Sequence, residues 1–233
     1  MGLLDLLFPR ECAGCRKPGE YLCTACKKTL FAHPEICPFC HKPSTDFQTC
    51  FACKGQEDAL TGILIGFSYQ TLIKKLILKV KFGHKKDVVP FLAGRIALLV
   101  QTHGKLSELS KDDQIFISFI PSHRRRKYLE KGYNQSELLA KELAKQLDLP
   151  ILPLVKKMKY TVSQLKLKRE ERKKNLENVF VPFQLDKLSH GATVLFVDDV
   201  TTTGSTLLHI AKVIKQERDD LNIWGAVVAR NMQ

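Results

Sequence analysis

No stretch of this 233-residue chain is long and apolar enough to cross a bilayer; the best candidate, residues 90–100, is interrupted by Arg95. The opening MGLLDLLFPRE is apolar, but Asp5 breaks it and no basic leader precedes it, which argues against a secretory signal. The chain therefore reads as cytoplasmic. No Gly-x-x-x-x-Gly-Lys-Ser/Thr string occurs, so a P-loop motor is excluded. No recognisable nucleophile or general-base motif is present, and no low-complexity tract. Acidic residues are scarce, 24 against 37 Lys and Arg, for a formal charge of +13. Beyond Cys53 there is no cysteine at all.

The cysteines that do exist are ordered. All eight fall in four C-x-x-C pairs, Cys12/Cys15, Cys23/Cys26, Cys37/Cys40 and Cys50/Cys53. In a reducing compartment such spacings mean metal rather than disulfides. Each C-x-x-C closes a knuckle whose two thiolates reach one ion, and two knuckles complete a tetrahedral site. Eight thiolates thus make two structural Zn²⁺ sites with none left over. A redox site would need one C-x-x-C opening a helix, not four in a row. His33 and His41 could substitute as ligands, but the cysteines suffice, and both read as loop residues. Pairing neighbours in order is the expectation; spacing alone leaves a cross-braced arrangement open. Closed four-Cys sites leave no open coordination position, so the metal is architectural.

The positive charge is unevenly placed. Residues 1–58 carry seven basic and seven acidic side chains; residues 59–233 carry thirty and seventeen. Four basic stretches, 74–86, 123–131, 156–159 and 166–174, supply the excess. It exceeds what one small anionic site needs and points to nucleic-acid phosphate contact, with a merely solvated basic surface as the alternative. Composition also shifts at residue 59, giving two expected domains, 1–58 and 59–233.

In the second domain strand and helix patterns alternate. Strands are expected at 60–69, 115–120, 151–155, 193–198 and 222–229, and helices at 71–82, 87–100, 134–147 and 204–217. Residues 104–113 read as a loop. Asn134 can cap its helix, with Glu137 completing a capping box and Leu138, Leu139, Leu143 and Leu147 forming the buried stripe. The fold class is α/β, a doubly wound parallel sheet with ligands at the carboxyl ends of its strands.

The richest segment is 194–206, VLFVDDVTTTGST. Four apolar residues form a buried strand, Asp198 and Asp199 follow, and a turn of small hydroxyl residues opens a helix near Gly204. Amide groups and the positive dipole end at that helix start favour a phosphate dianion. Thr202, Thr203, Ser205 and Thr206 add hydroxyl donors, and Gly204 lets the backbone approach closely. The two carboxylates suit ribose hydroxyls or a hydrated Mg²⁺ one sugar ring away. For a pyrophosphate group the turn after residues 115–120 offers Ser122, His123, Arg124, Arg125 and Arg126.

This segment closely resembles the phosphoribosyl-diphosphate (PRPP) loop of type I phosphoribosyltransferases. Gly132-Tyr133-Asn134-Gln135-Ser136, then Thr161, Gln164, Leu167, Arg172 and Asn175 in their spacing, resemble two signatures of the ComF (ComFC) competence-protein family, which includes GntX-like proteins. With the cysteine-rich start, the resemblance spans nearly the whole chain. Lys131 stands where that family usually has arginine, and it lacks the bidentate fork. The resemblance implies a double zinc ribbon joined to a type I phosphoribosyltransferase domain. It implies Gln164, Arg172 and Asn175 in a flap over the substrate, and PRPP bound with Mg²⁺. It further implies work on single-stranded DNA in natural transformation, beside a helicase partner at the inner membrane. Phosphoribosyl transfer is the activity implied, with Asp198 and Asp199 at its centre; a non-catalytic zinc-ribbon DNA-binding adaptor or PRPP sensor is the alternative.

Overall fold

The structure, a computed structural model, describes residues 10–55, 59–83, 86–110, 114–122, 133–158 and 179–231. Its centre is a four-stranded sheet of β1 (Gly62–Ser68), β2 (Ile115–Phe119), β5 (Thr193–Thr201) and β6 (Asn222–Arg230), in the order β1-β6-β5-β2. Every pairing is parallel, with Ile63 opposite Gly225, Phe196 opposite Gly225 and Ile117 opposite Leu195. All four strands therefore end along one edge. Val194–Val197 are completely buried, which explains why β5 is an unbroken apolar run rather than an alternating one.

The helices are α1 (Thr71–Gly83), α2 (Val89–Thr102), α3 (Gly104–Leu109), α4 (Gln135–Leu147) and α5 (Ser205–Lys215). They cover both faces of the sheet. Trp224 meets the His103 ring at the end of α2 edge-on, at 5.0 Å between centroids. Neighbouring Gly225 points the other way, where a Cβ would lie 2.6 Å from Leu207 of α5. Only glycine lets α5 sit that close.

Three local expectations change. Residues 104–109 form a helix because the His103 ring caps it, accepting from the Leu106 N–H at 3.2 Å, while Leu106 is buried. In α4 the buried stripe is Leu139, Ala140, Leu143 and Ala144, with Leu138 and Leu147 half-buried. Two alanines take buried places in the stripe, which the leucine spacing alone does not reveal. The strand expected at 151–155 is split. Ile151 bridges Ile117 at the sheet edge, and β3 (Val155–Lys157) pairs antiparallel with β4 (Phe180–Pro182).

The cysteine-rich segment is two near copies of one knuckle. Glu11 bridges Pro18 and Ile36 bridges Pro43, and Arg16 and His41 hold matching left-handed conformations (φ 64° and 62°). A one-turn helix carries the last cysteine of each knuckle, Cys26 in Thr24–Lys27 and Cys53 in Phe51–Lys54. The segment packs into the main core through Ala13, Leu22 and Phe47. It also closes the free edge of β1, where Gln48 bridges Gly62 and Ala32 bridges Phe67, both antiparallel.

Candidate functional site

β5 runs past its apolar stretch and carries both carboxylates to the carboxyl edge, still in register with β6: Asp198 opposite Val227, Thr201 opposite Arg230. Asp198 Oδ1 accepts from the Asp199 N–H at 2.9 Å, and Asp199 Oδ1 from the Val200 N–H at 2.8 Å. Thr201 is buried and its Oγ1 accepts from the Gly204 N–H at 3.1 Å. Gly204 has φ +77°, a conformation that favours glycine, and a Cβ there would come to 3.0 Å from Ile63 Cδ1, which would have to shift slightly. Thr202 and Thr203 are exposed, Ser205 and Thr206 half-buried. Helix α5 starts at Ser205, and its own hydrogen bonding begins with Leu208 N–H to the Gly204 carbonyl at 2.9 Å. The amides before Leu208 are those the helix cannot use itself. The turn thus sets helix-start amides and four hydroxyl side chains beside two carboxylates at the carboxyl edge of the sheet.

Asp198 is anchored from another element. Ser136, in the first turn of α4 and itself buried, donates its hydroxyl to Asp198 Oδ1 at 2.7 Å. Asn134 caps the same helix, accepting from the Ser136 N–H at 3.2 Å, and its amide donates to the Ile120 carbonyl at 2.9 Å. Ile120 N–H in turn donates to the Val197 carbonyl at 3.2 Å. The chain therefore leaves β2 and returns at Asn134 through one closed base beside Asp198. Ser122 lies at this exit, half-buried; His123, Arg124, Arg125 and Arg126 lie outside the described residues. Gln164, Arg172 and Asn175 also lie outside them. The strands on either side are described: β3 and β4 form a two-stranded stem, with Met158 N–H donating to the Val179 carbonyl at 2.8 Å.

Burial and the neighbouring Asp199 push the Asp198 carboxyl up to about 7, against the Ser136 hydroxyl and Asp199 N–H, which favour its charged form. Tyr69, just past β1, is raised by burial and by the charge of Asp199, which places it within the field of this acid pair. Sequence reasoning did not single out Ser136 or Tyr69 as site residues. Asn134-Gln135-Ser136 was visible as a helix start and family motif, but its reach across 62 residues to Asp198 is tertiary.

The cysteines gather as Cys12, Cys15, Cys23 and Cys26, and as Cys37, Cys40, Cys50 and Cys53, so neighbouring pairs share a site. The Cys12–Cys23 and Cys15–Cys23 sulfurs are 3.7 Å apart and Cys40–Cys50 3.6 Å. That is too long for a disulfide and close to the tetrahedron edge of about 3.8 Å that a Zn–S bond of about 2.3 Å requires. Burial pushes the Cys12 thiol up, yet amide hydrogen bonds from Cys23, Cys15 and Gly14 outweigh it and hold it at about 6. Its neighbour Cys26 is pushed up to about 12, first by Cys12. The second cluster repeats this, Cys37 at about 6 and Cys53 at about 12. Four crowded sulfurs cannot all ionise without a cation among them, so the donor sets fit a divalent metal.

Residues 3–54 match the family described as double zinc ribbon domain, and residues 134–232 the family described as phosphoribosyl transferase domain. The chain is 30% identical over 207 residues to competence protein F of Haemophilus influenzae, covering 88% of this chain and 89% of that protein. It is 28% identical over 215 residues to the DNA utilization protein YhgH of Escherichia coli K12, covering 90% and 92%. Competence protein ComFC of Bacillus subtilis is 22% identical over 227 residues, covering 92% and 86%. Among the described residues no helix is long and apolar enough to cross a membrane.

Proposed function

Because the chain belongs to the ComF competence-protein family, we propose that its carboxyl-edge cradle binds PRPP with Mg²⁺ and supports phosphoribosyl transfer in the handling of incoming single-stranded DNA. One observation carries the reading: a parallel strand delivers Asp198 and Asp199 directly into a positive-φ turn at a helix N-terminus. In this reading the Thr202–Thr206 turn holds the 5′-phosphate through amides and hydroxyls. Asp198 and Asp199 orient the ribose hydroxyls and the metal's water shell, and Ser136 holds Asp198 in place. Mg²⁺ supplies charge neutralisation for the pyrophosphate. In the same reading Ser122, at the exit of β2, and His123, Arg124, Arg125 and Arg126 after it in sequence serve the same leaving group. In the transfer, the bond from ribose C1′ to pyrophosphate breaks and a bond from C1′ to the acceptor forms. Gln164, Arg172 and Asn175, carried between β3 and β4, exclude water as a flap.

DNA enters this reading through the names of the relatives and through charge. A groove of about 730 Å³ runs between the first knuckle and α1, with Arg16, Lys75 and Lys79 on its walls beside Leu78. The second knuckle presents Phe51, 95% exposed, in a position to stack on a base. A helicase acting on the same strand is the partner this reading calls for. Calorimetry with PRPP and Mg²⁺ tests the site: the native chain binds, and Asp199→Asn binds at least tenfold more weakly. Equal affinity for both proteins refutes the assigned role. Pyrophosphate release with candidate acceptors marks a transferase; binding without release marks a PRPP sensor or DNA-binding adaptor.

A further inference from the structure

Arg230 ends β6 and is 1% exposed, the largest fully buried side chain among the described residues. Its Nη2 donates to the Pro38 carbonyl at 2.9 Å and lies 2.6 Å from His41 Nε2, so its tip sits inside the second knuckle. Nε and Nη1 have no hydrogen-bond partner among the described residues. Nor does any ion pair there join Arg230 to a carboxylate. A buried guanidinium with two unused donors is costly unless a negative group faces it. Pro38, whose carbonyl Arg230 meets, directly follows the cluster cysteine Cys37, and His41 directly follows the cluster cysteine Cys40. A divalent metal with four thiolates leaves a net charge of −2 on the cluster, and a buried cation on the knuckle offsets part of it. Among the described residues the first knuckle has no buried arginine or lysine. The place matching His41 there is Arg16, which is exposed.

The backbone of Arg230 leads directly to the anion cradle. Its carbonyl accepts from Tyr69 N–H at 3.0 Å, the following Asn231 N–H donates to the Thr201 carbonyl at 2.9 Å, and Thr201 Oγ1 accepts from Gly204 N–H. We propose that Arg230 is the buried counter-cation of the second metal cluster, and that it couples occupancy of that cluster, and not of the first, to the shape of the 201–205 turn. The inference rests on the metal reading of the four-Cys sites and holds whatever ligand the turn takes. Arg230 acts as a positioning residue: it touches neither a reacting atom nor the cradle itself.

The test uses the full zinc-loaded chain, a chelator, and alkylation of released cysteines mapped by peptide. For Arg230→Met, Cys37, Cys40, Cys50 and Cys53 should be alkylated about tenfold faster than in the native chain, in line with the usual effect of losing an outer partner. Cys12, Cys15, Cys23 and Cys26 should keep their native rate. Amide hydrogen exchange across residues 201–208 should accelerate in the same variant, and in the native chain once the second cluster is stripped. Arg230→Lys keeps the charge but loses the fork. It should fall between the two, and it carries the test alone if Arg230→Met does not fold. Equal acceleration of both clusters, or of neither, overturns the counter-cation role. A 201–208 segment indifferent to loss of the second metal overturns the coupling. Neither readout involves PRPP, so failure here is separable from failure of the proposed function.

Discussion

Removing one hydroxyl, Ser136→Ala, tests how the acid pair is tuned. The 2.7 Å bond from Ser136 to Asp198 favours the carboxylate over the acid, opposing the burial and the Asp199 charge that hold this carboxyl at about 7. A hydrogen bond to a charged group contributes about 1.5–3 kcal/mol, and the hydroxyl retains some bonding to the neutral acid, so the differential loss is about 1.5 kcal/mol. At 1.36 kcal/mol per unit, Asp198 should move up by about one unit. Its ionised fraction at pH 7 then drops from roughly half to roughly a tenth. If Asp198 must be ionised to engage the metal–PRPP complex, affinity at pH 7 falls about fivefold and recovers near pH 9. Calorimetry of Mg²⁺–PRPP binding at several pH values, alongside carboxyl carbon titration by NMR, reads both effects. An affinity ratio between variant and native protein that stays constant from pH 6 to 9 would refute the reasoning and leave only a steric effect. The stability term has the opposite sense. The folded pKa of Asp198 lies above the ordinary carboxylate value of about 4, so the folded state keeps the proton longer. This group's contribution to stability is complete below about 4 and declines as pH rises to about 7.

Two further outcomes follow from the same geometry. Gly204→Ala combines a φ of +77° with a 3.0 Å approach to Ile63 Cδ1, and should lower stability by about 1–3 kcal/mol in denaturant titration while weakening phosphate-ligand binding more than Thr202→Ala, which alters an exposed side chain. Affinity for single-stranded DNA should fall steeply with added salt, and Lys75→Ala should reduce the slope of log affinity against log salt by about 0.7; a flat salt response removes DNA from the proposed function.

The metal sites were legible in the sequence because C-x-x-C geometry is local: four residues make a knuckle wherever they occur. The 194–206 segment was legible for the same reason, since strand, acids, glycine and helix start are contiguous. What escaped depends on distance along the chain. Ser136 reads as one more polar residue in a helix's first turn until α4 is docked and its hydroxyl meets Asp198. Arg230 reads as the polar end of a strand until residue 38, far upstream, closes over it. Residues 104–109 read as a polar connection, because neither the cap from His103 nor the burial of Leu106 shows in composition. Ala140 and Ala144 look neutral in a pattern search, yet both are buried parts of the helix's packed face. Periodicity finds elements; it does not say which neighbour each face will meet.

The bridges that Gln48 and Ala32 make to Gly62 and Phe67 carry a consequence for a cell short of zinc. Those two contacts are a hem stitched along the first strand by a segment whose shape depends on metal. Were the stitching to loosen, a row of amides and carbonyls with strong strand character would face solvent, ready to template pairing with another chain. Loss of the ion would then favour association of the protein along this strand.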